Sequence, residues 1–228
     1  MTRPSRVIID IKALEHNFSR IKELVHNSKV MAIIKADAYG HGIVRVAKTL
    51  RDADAFGVAC LEEAEQLRIA SITTPIVLLE GPYKPNDLSL IIKLNLEVVI
   101  HNEYQLELLE KSKIDGAIKV WLKIDTGMHR LGFSANKTEE VLRRLMLCRN
   151  INSTPILMSH LATANEKNHA LTYQQLDTFR EISKIANTEK TIANSAAVIN
   201  LPDVHFDWVR PGLMLYGVSP LINSCGHD

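Results

Sequence analysis

At 228 residues, with 46% apolar and 23% charged side chains, the chain is long enough for one large domain around a buried core, as α/β barrels are. A net charge of +1, with no basic stripe or acidic block, leaves no footprint for nucleic acid or an anionic membrane surface. Cys60, Cys148 and Cys225 lie far apart without CxxC spacing, which argues against a disulfide framework, and no apolar run reaches membrane length or resembles a leader. A cytoplasmic protein is expected. Residues 8–11 read as a short strand, and a helix follows over 13–26 with Leu14, Phe18, Ile21, Leu24 and Val25 on one stripe. Strand-like runs then recur at 30–35, 55–59, 76–79, 97–100, 118–124, 156–160, 191–194 and 208–216. Helical stretches separate them, among them 102–109, opened by the capping pattern from Asn102 to Gln105, and 138–148, with Val141, Leu142 and Leu145 inward. Eight near-continuous apolar strands alternating with helices predict a parallel sheet covered on both faces, and eight closes a (β/α)8 barrel. An open doubly wound sheet fits less well, because no GxGxxG follows a strand. Only the tail, 219–228, loses the pattern, as a truncated chain would.

The stretch 32–42, AIIKADAYGHG, is the focal one. An apolar run delivers Lys35 to a strand-to-turn junction. A buried ammonium there favours the neutral amine, the form that attacks a carbonyl, so Lys35 is a candidate imine former; a lysine snorkelling to the rim is the alternative. In a barrel the active site lies at the carboxyl ends of the strands. There the sequence places Lys35, Lys123, Asp125, His160, Asn194 and Arg210. Each has a structural alternative: Lys123 pairing with Asp125, His160 as a satisfied core histidine, Arg210 in an ordinary ion pair. The loop 125–132 has glycines for sharp turns and an arginine, Arg130, suited to a planar oxyanion. In 194–197, NSAA, the Ser195 hydroxyl and the free amides of a helix start suit a phosphate, with a plain N-cap as the alternative. The nine histidines include no HxH or HExxH, so no metal is expected. No GxSxG elbow frames a serine nucleophile either.

Five stretches, AIIKADAYGHG (32–42), KIDTGMHRLG (123–132), SHLATA (159–164), ANSAA (193–197) and VRPGLMLYG (209–217), resemble the alanine racemases, fold-type III pyridoxal phosphate enzymes. The resemblance implies that Lys35 carries the cofactor and serves as one of two catalytic bases. It implies that Tyr39, Ser195 and the amide of Leu213 face the phosphate, with Asn194 and Gly212 also in the cofactor site. Arg210 would donate to the pyridine nitrogen, His160 would lie beside the ring, and Arg130 would meet the phenolic oxygen and the substrate carboxylate. Lys123 matches a position that many members carry carbamylated, and His129 stands where a smaller residue is frequent. The family's second base is a tyrosine of a C-terminal β-domain reaching across from the partner subunit, and none of Tyr39, Tyr83, Tyr104, Tyr173 and Tyr216 matches it. The expectation is a barrel domain over 1–218, with 219–228 starting the connection to an absent β-domain, poor turnover alone and a homodimer for the full-length protein. Alanine is the implied substrate and D-alanine for peptidoglycan the implied product. A non-catalytic barrel for cofactor homeostasis, a racemase or decarboxylase for serine or a bulkier amino acid, and a metal-dependent hydrolase are the alternatives.

Overall fold

The strand expected at 8–11 does not form. Asp10 instead caps α1 (Ile11–Val25), its carboxylate accepting the Ala13 amide at 3.1 Å, and the preceding Val7 and Ile8 are exposed. The computed structural model describes residues 6–151, 153–222 and 224–225, so the ends of the 1–218 and 219–228 segments lie partly outside the described residues. On α1 the buried stripe is Leu14, Phe18, Ile21 and Val25, while Leu24 falls off its spacing and is exposed.

Among the described residues, eight strands close a barrel: β1 (Lys29–Ile33), β2 (Ala55–Val58), β3 (Ile76–Leu78), β4 (Leu96–Ile100), β5 (Val120–Asp125), β7 (Ile156–Met158), β8 (Lys190–Asn194) and β9 (Trp208–Arg210). Each pairs in parallel with its neighbours, and the ring shuts where β1 meets β9. The two-residue β6 (Phe133–Ser134) hangs on the outer end of β5. The outside is covered by α3 (Ile43–Thr49), α4 (Leu61–Ile69), α5 (Pro85–Lys93), α6 (Glu103–Glu110), α7 (Thr138–Leu147), α8 (Ala170–Ile182) and α9 (Ser195–Asn200). This is the (β/α)8 architecture. Residues 208–216, read as one strand, break after Arg210, because Pro211 and Gly212 turn the chain into a 3-10 helix, Leu213–Tyr216. No helix of the described residues is long and apolar enough to cross a membrane.

Alternation along each strand decides what enters the lumen. Met31 and Ile33 of β1, Trp121 of β5, Ile156 and Met158 of β7 and Trp208 of β9 pack together inside. Val30, Ala32 and Leu122, one residue out of phase, join the core between strands and helices. The lumen's amino-terminal floor is an edge-to-face pair, Trp121 on Trp208, with ring centroids 5.2 Å apart. Their indole N–H groups donate to Glu97 at 2.6 Å and Glu189 at 2.8 Å, and Lys119 and Lys29 lie over the rings.

Candidate active site

Continuing the alternation upward carries each lumen strand from apolar to polar. Met31 and Ile33 lead to Lys35, Trp121 leads to Lys123, Ile156 and Met158 lead to His160, and Trp208 leads to Arg210. The apolar plug therefore supports a ring of polar groups at the carboxyl ends. They open into a cavity of about 580 Å³, lined by Lys35, Tyr39, Lys123, Arg130, His160, Asn194, Ser195, Arg210, Gly212 and Leu213. All the candidates except Asp125 are thus brought to one mouth.

Asp125 is taken up by its own loop. Its Oδ1 accepts the amides of Gly127, Met128 and His129 at 2.9 to 3.1 Å, and its Oδ2 meets His129 Nδ1 at 3.1 Å. The His129 ring, on a left-handed backbone, thereby braces the loop that ends in Arg130. Lys123 consequently has no salt bridge among the described residues. Burial, and then the cations Arg210, Arg130 and Lys35, bring its ammonium down from 10.5 to about 8.

Arg210 is buried and, among the described residues, bonds no carboxylate. One guanidinium nitrogen donates to Thr191 Oγ1 at 2.5 Å; the other donates to the Ser159 carbonyl at 2.6 Å and meets His160 Nδ1 at 3.2 Å. Burial lowers its pKa to about 9, which leaves it charged at neutral pH. Burial, followed by the same cations, holds His160 far below 6.5, so its imidazole is neutral. Arginine cannot accept, so His160 Nδ1 is the bare nitrogen and Nε2 carries the proton. Lys35, Lys123, Arg130 and Arg210 outnumber the cavity's one lining carboxylate, Glu80, and among the described residues none of the four is in a salt bridge, so the mouth suits an anionic ligand.

After β1 the chain makes a left-handed turn without glycine: Ala36, Asp37, Ala38 and Tyr39 have φ between 51° and 54°. Each costs roughly 1–2 kcal/mol in that region, so the surroundings must impose it. Asp37 Oδ1 accepts the Ile43 amide at 2.7 Å, and the His41 ring meets the carbonyls of Ala38 and Tyr39. The Tyr39 ring packs 5.1 Å from Tyr216, whose hydroxyl donates to the Ile33 carbonyl. A Cβ on Gly212 would come within 3.1 Å of the Tyr39 hydroxyl, a tight contact that would press that hydroxyl aside by a few tenths of an ångström.

At α9 the N-cap is Asn194, whose side chain accepts the Ala197 amide at 3.1 Å, and not Ser195. Ser195 Oγ accepts the Gly212 amide at 2.8 Å, tying the start of α9 to the turn after β9. Sequence reasoning missed Gln175, buried on α8. Its amide nitrogen donates to the His160 carbonyl at 2.9 Å and its oxygen accepts the Ala162 amide at 2.9 Å, which fixes the segment after β7. The available signal was a glutamine within an apolar helix stripe, beside Leu176 and Phe179.

The alanine racemase N-terminal domain family matches residues 9–220. The biosynthetic alanine racemase of Escherichia coli (strain K12) is 46% identical over 223 residues, 97% of this chain and 62% of the relative. The crystal structure of biosynthetic alanine racemase from Pseudomonas aeruginosa superposes with a TM-score of 0.92 at 39% identity, over 96% of this chain and 62% of that one. Alanine racemase from Bartonella henselae, solved with covalently bound pyridoxal phosphate, gives a TM-score of 0.82 at 27% identity, over 93% and 60%. The chain thus spans about 60% of the length of the relatives it matches. Matched by the family model over residues 9–220 and similar to these relatives over nearly its whole length, the chain belongs to the alanine racemase N-terminal domain family.

Proposed function

We propose that this barrel holds pyridoxal 5′-phosphate on Lys35 and moves the α-proton of alanine, as the barrel portion of a racemase interconverting L- and D-alanine. The observation that carries this is the mouth itself, where Lys35, Lys123, Arg130 and Arg210, none in a salt bridge among the described residues, gather around a neutral His160 with Glu80 as the cavity's one lining carboxylate. That charge suits a phosphate, a phenolate and a substrate carboxylate together. The place beside Gly212 and the unpaired lysine at the end of β1 fit the group further, and the covalent cofactor of the Bartonella henselae relative supports the same reading.

When bound, the cofactor supplies an electron sink for the pair left at Cα. The chain's own groups do the rest. Lys35 holds the cofactor and takes or returns the proton on one face. Tyr39, Ser195 and the Leu213 amide bind the phosphate, with Asn194 and Gly212 shaping its seat. Arg210 keeps its proton at neutral pH and offers only N–H donors, so it would leave a ring nitrogen of the cofactor unprotonated and weaken the sink, which would favour return of the proton over loss of the amine. Arg130 orients the substrate carboxylate, and Lys123, with a substantial neutral fraction, is placed to become a carbamate that holds Arg130. Racemisation needs a second base on the opposite face, which none of these residues supplies and which a partner subunit of a homodimer would contribute. D-alanine made in this way in a bacterial cytoplasm would serve the cell wall.

The test is α-proton exchange. With cofactor and one alanine enantiomer in D2O, proton NMR should show loss of the Cα–H signal faster than chiral chromatography shows the opposite enantiomer. An unchanged signal in cofactor-loaded protein would refute the reading. A separate expectation concerns Lys123. Its folded pKa of about 8 lies below the ordinary 10.5, so carrying the proton costs stability fully below pH 8, and that cost fades as pH rises to 10.5. In bicarbonate-free buffer without cofactor, Lys123→Met should therefore be more stable at pH 7 by roughly 1–3 kcal/mol, a gain that disappears near pH 10.5 in urea denaturation.

A further inference from the structure

We propose that Glu63, on α4 and outside the cavity, is a positioning residue for the reaction: its carboxylate holds the left-handed turn that aims Lys35 and Tyr39. The inference rests on the reading of the site given above.

The turn's other braces are local or apolar. Asp37 ties the turn to the start of α3 just after it, His41 bonds the turn's own carbonyls, and Tyr216 contributes ring packing. Among the described residues, Glu63 is the side chain from another element that hydrogen-bonds the turn's backbone. Its Oε1 accepts the Asp37 amide at 3.1 Å and its Oε2 accepts the Ala59 amide at 2.8 Å. Ala59 stands just beyond β2 and lines the cavity, so one half-buried carboxylate fixes the ends of two adjacent barrel strands relative to each other. Lys35 lies two residues before the bonded amide and Tyr39 two residues after it.

Both bonds are charge-assisted, and the carboxylate sits in the first turn of α4, where the helix favours a negative group. The binding consequence follows from the strain. A turn of four left-handed residues returns toward ordinary backbone once a tie is lost, and that rotation carries the Lys35 amine and the Tyr39 hydroxyl in different directions. Nothing in this arrangement brings Glu63 to Arg130, so the substrate carboxylate site is untouched.

The experiment compares the wild-type protein with Glu63→Ala and Glu63→Gln, at a temperature where all are folded. Glutamine keeps one acceptor but turns an amide N–H toward the second donor. Without cofactor, amide hydrogen exchange across residues 36–40 should quicken about tenfold or more in Glu63→Ala and less in Glu63→Gln. With pyridoxal 5′-phosphate, the concentration giving half-maximal borohydride-trapped adduct on Lys35 should rise about tenfold. The rate of α-proton exchange should fall similarly while the KM for alanine holds. Unchanged exchange across 36–40 would overturn the inference, as would faster exchange with unaltered loading of Lys35, which would make Glu63 structural only. Absence of any adduct in the wild-type protein would instead refute the proposed function, and the cofactor-free exchange would still decide whether Glu63 holds the turn.

Discussion

Lys35→Ala should remove the borohydride-trapped adduct entirely and slow α-proton exchange of alanine by ~10³-fold or more, because the proposed function makes one side chain both attachment point and base. The fold should survive. Lys35 is half-buried and in no salt bridge among the described residues, and its charge is one of those that depress Lys123, so removing it relieves repulsion. The melting temperature should therefore stay level or rise. Lys35→Arg sharpens the test, since the guanidinium keeps the positive charge but offers no neutral amine at neutral pH. It should be as inactive as the alanine variant. A Lys35→Ala protein exchanging protons within tenfold of wild type would remove the central residue from the account.

The second large effect is on stability and starts at the opposite end of the barrel. Trp121→Ala should cost about 3–5 kcal/mol, read as a lower urea midpoint with little change in slope. Trp121 is fully buried, its ring packs edge-to-face on Trp208, and its indole N–H satisfies Glu97. Truncation opens a cavity at the lumen floor and takes from Glu97 its indole donor, leaving it Lys119. Trp121→Phe keeps most of the packing and loses the indole donor, so about 1–2 kcal/mol is expected. The effect should reach the mouth, because the lumen cluster continues through Met31 to Ile33 and Met158, which line the active cavity. Cofactor affinity should fall in Trp121→Ala even though the floor touches no candidate ligand.

The barrel is legible in the sequence because its strands are short apolar runs with helices between them, and because period-two alternation puts Lys35, Lys123, His160 and Arg210 above apolar lumen residues. Misreadings occur where an apolar run serves another purpose. Residues 8–11 carry strand-like isoleucines, yet Asp10 is worth more as a helix cap. Residues 208–216 overrun their strand because the apolar 3-10 helix Leu213–Tyr216 shares the strand's composition, and 156–160 overrun theirs by the two polar residues Ser159 and His160 that follow Met158. Neighbouring charges mislead similarly: Lys123 and Asp125 are placed to pair, but three amides and His129 claim the carboxylate first. The left-handed turn is nearly invisible to local propensity, since of Ala36, Asp37, Ala38 and Tyr39 only Asp37 enters that region readily. Besides the local bonds of Asp37 and His41, its supports Glu63 and Tyr216 lie far away in sequence, as does Gln175, which orders the segment after β7. Such long-range polar ties are set by tertiary placement and leave no periodic trace.

The most direct measurement is peptide mass spectrometry after incubation with pyridoxal 5′-phosphate and borohydride reduction. The account predicts a phosphopyridoxyl group on the peptide containing Lys35, saturating with cofactor, with Lys123 unlabelled. A folded protein in which Lys35 stays unmodified, or in which the label settles on Lys123 or on surface lysines alone, would contradict it.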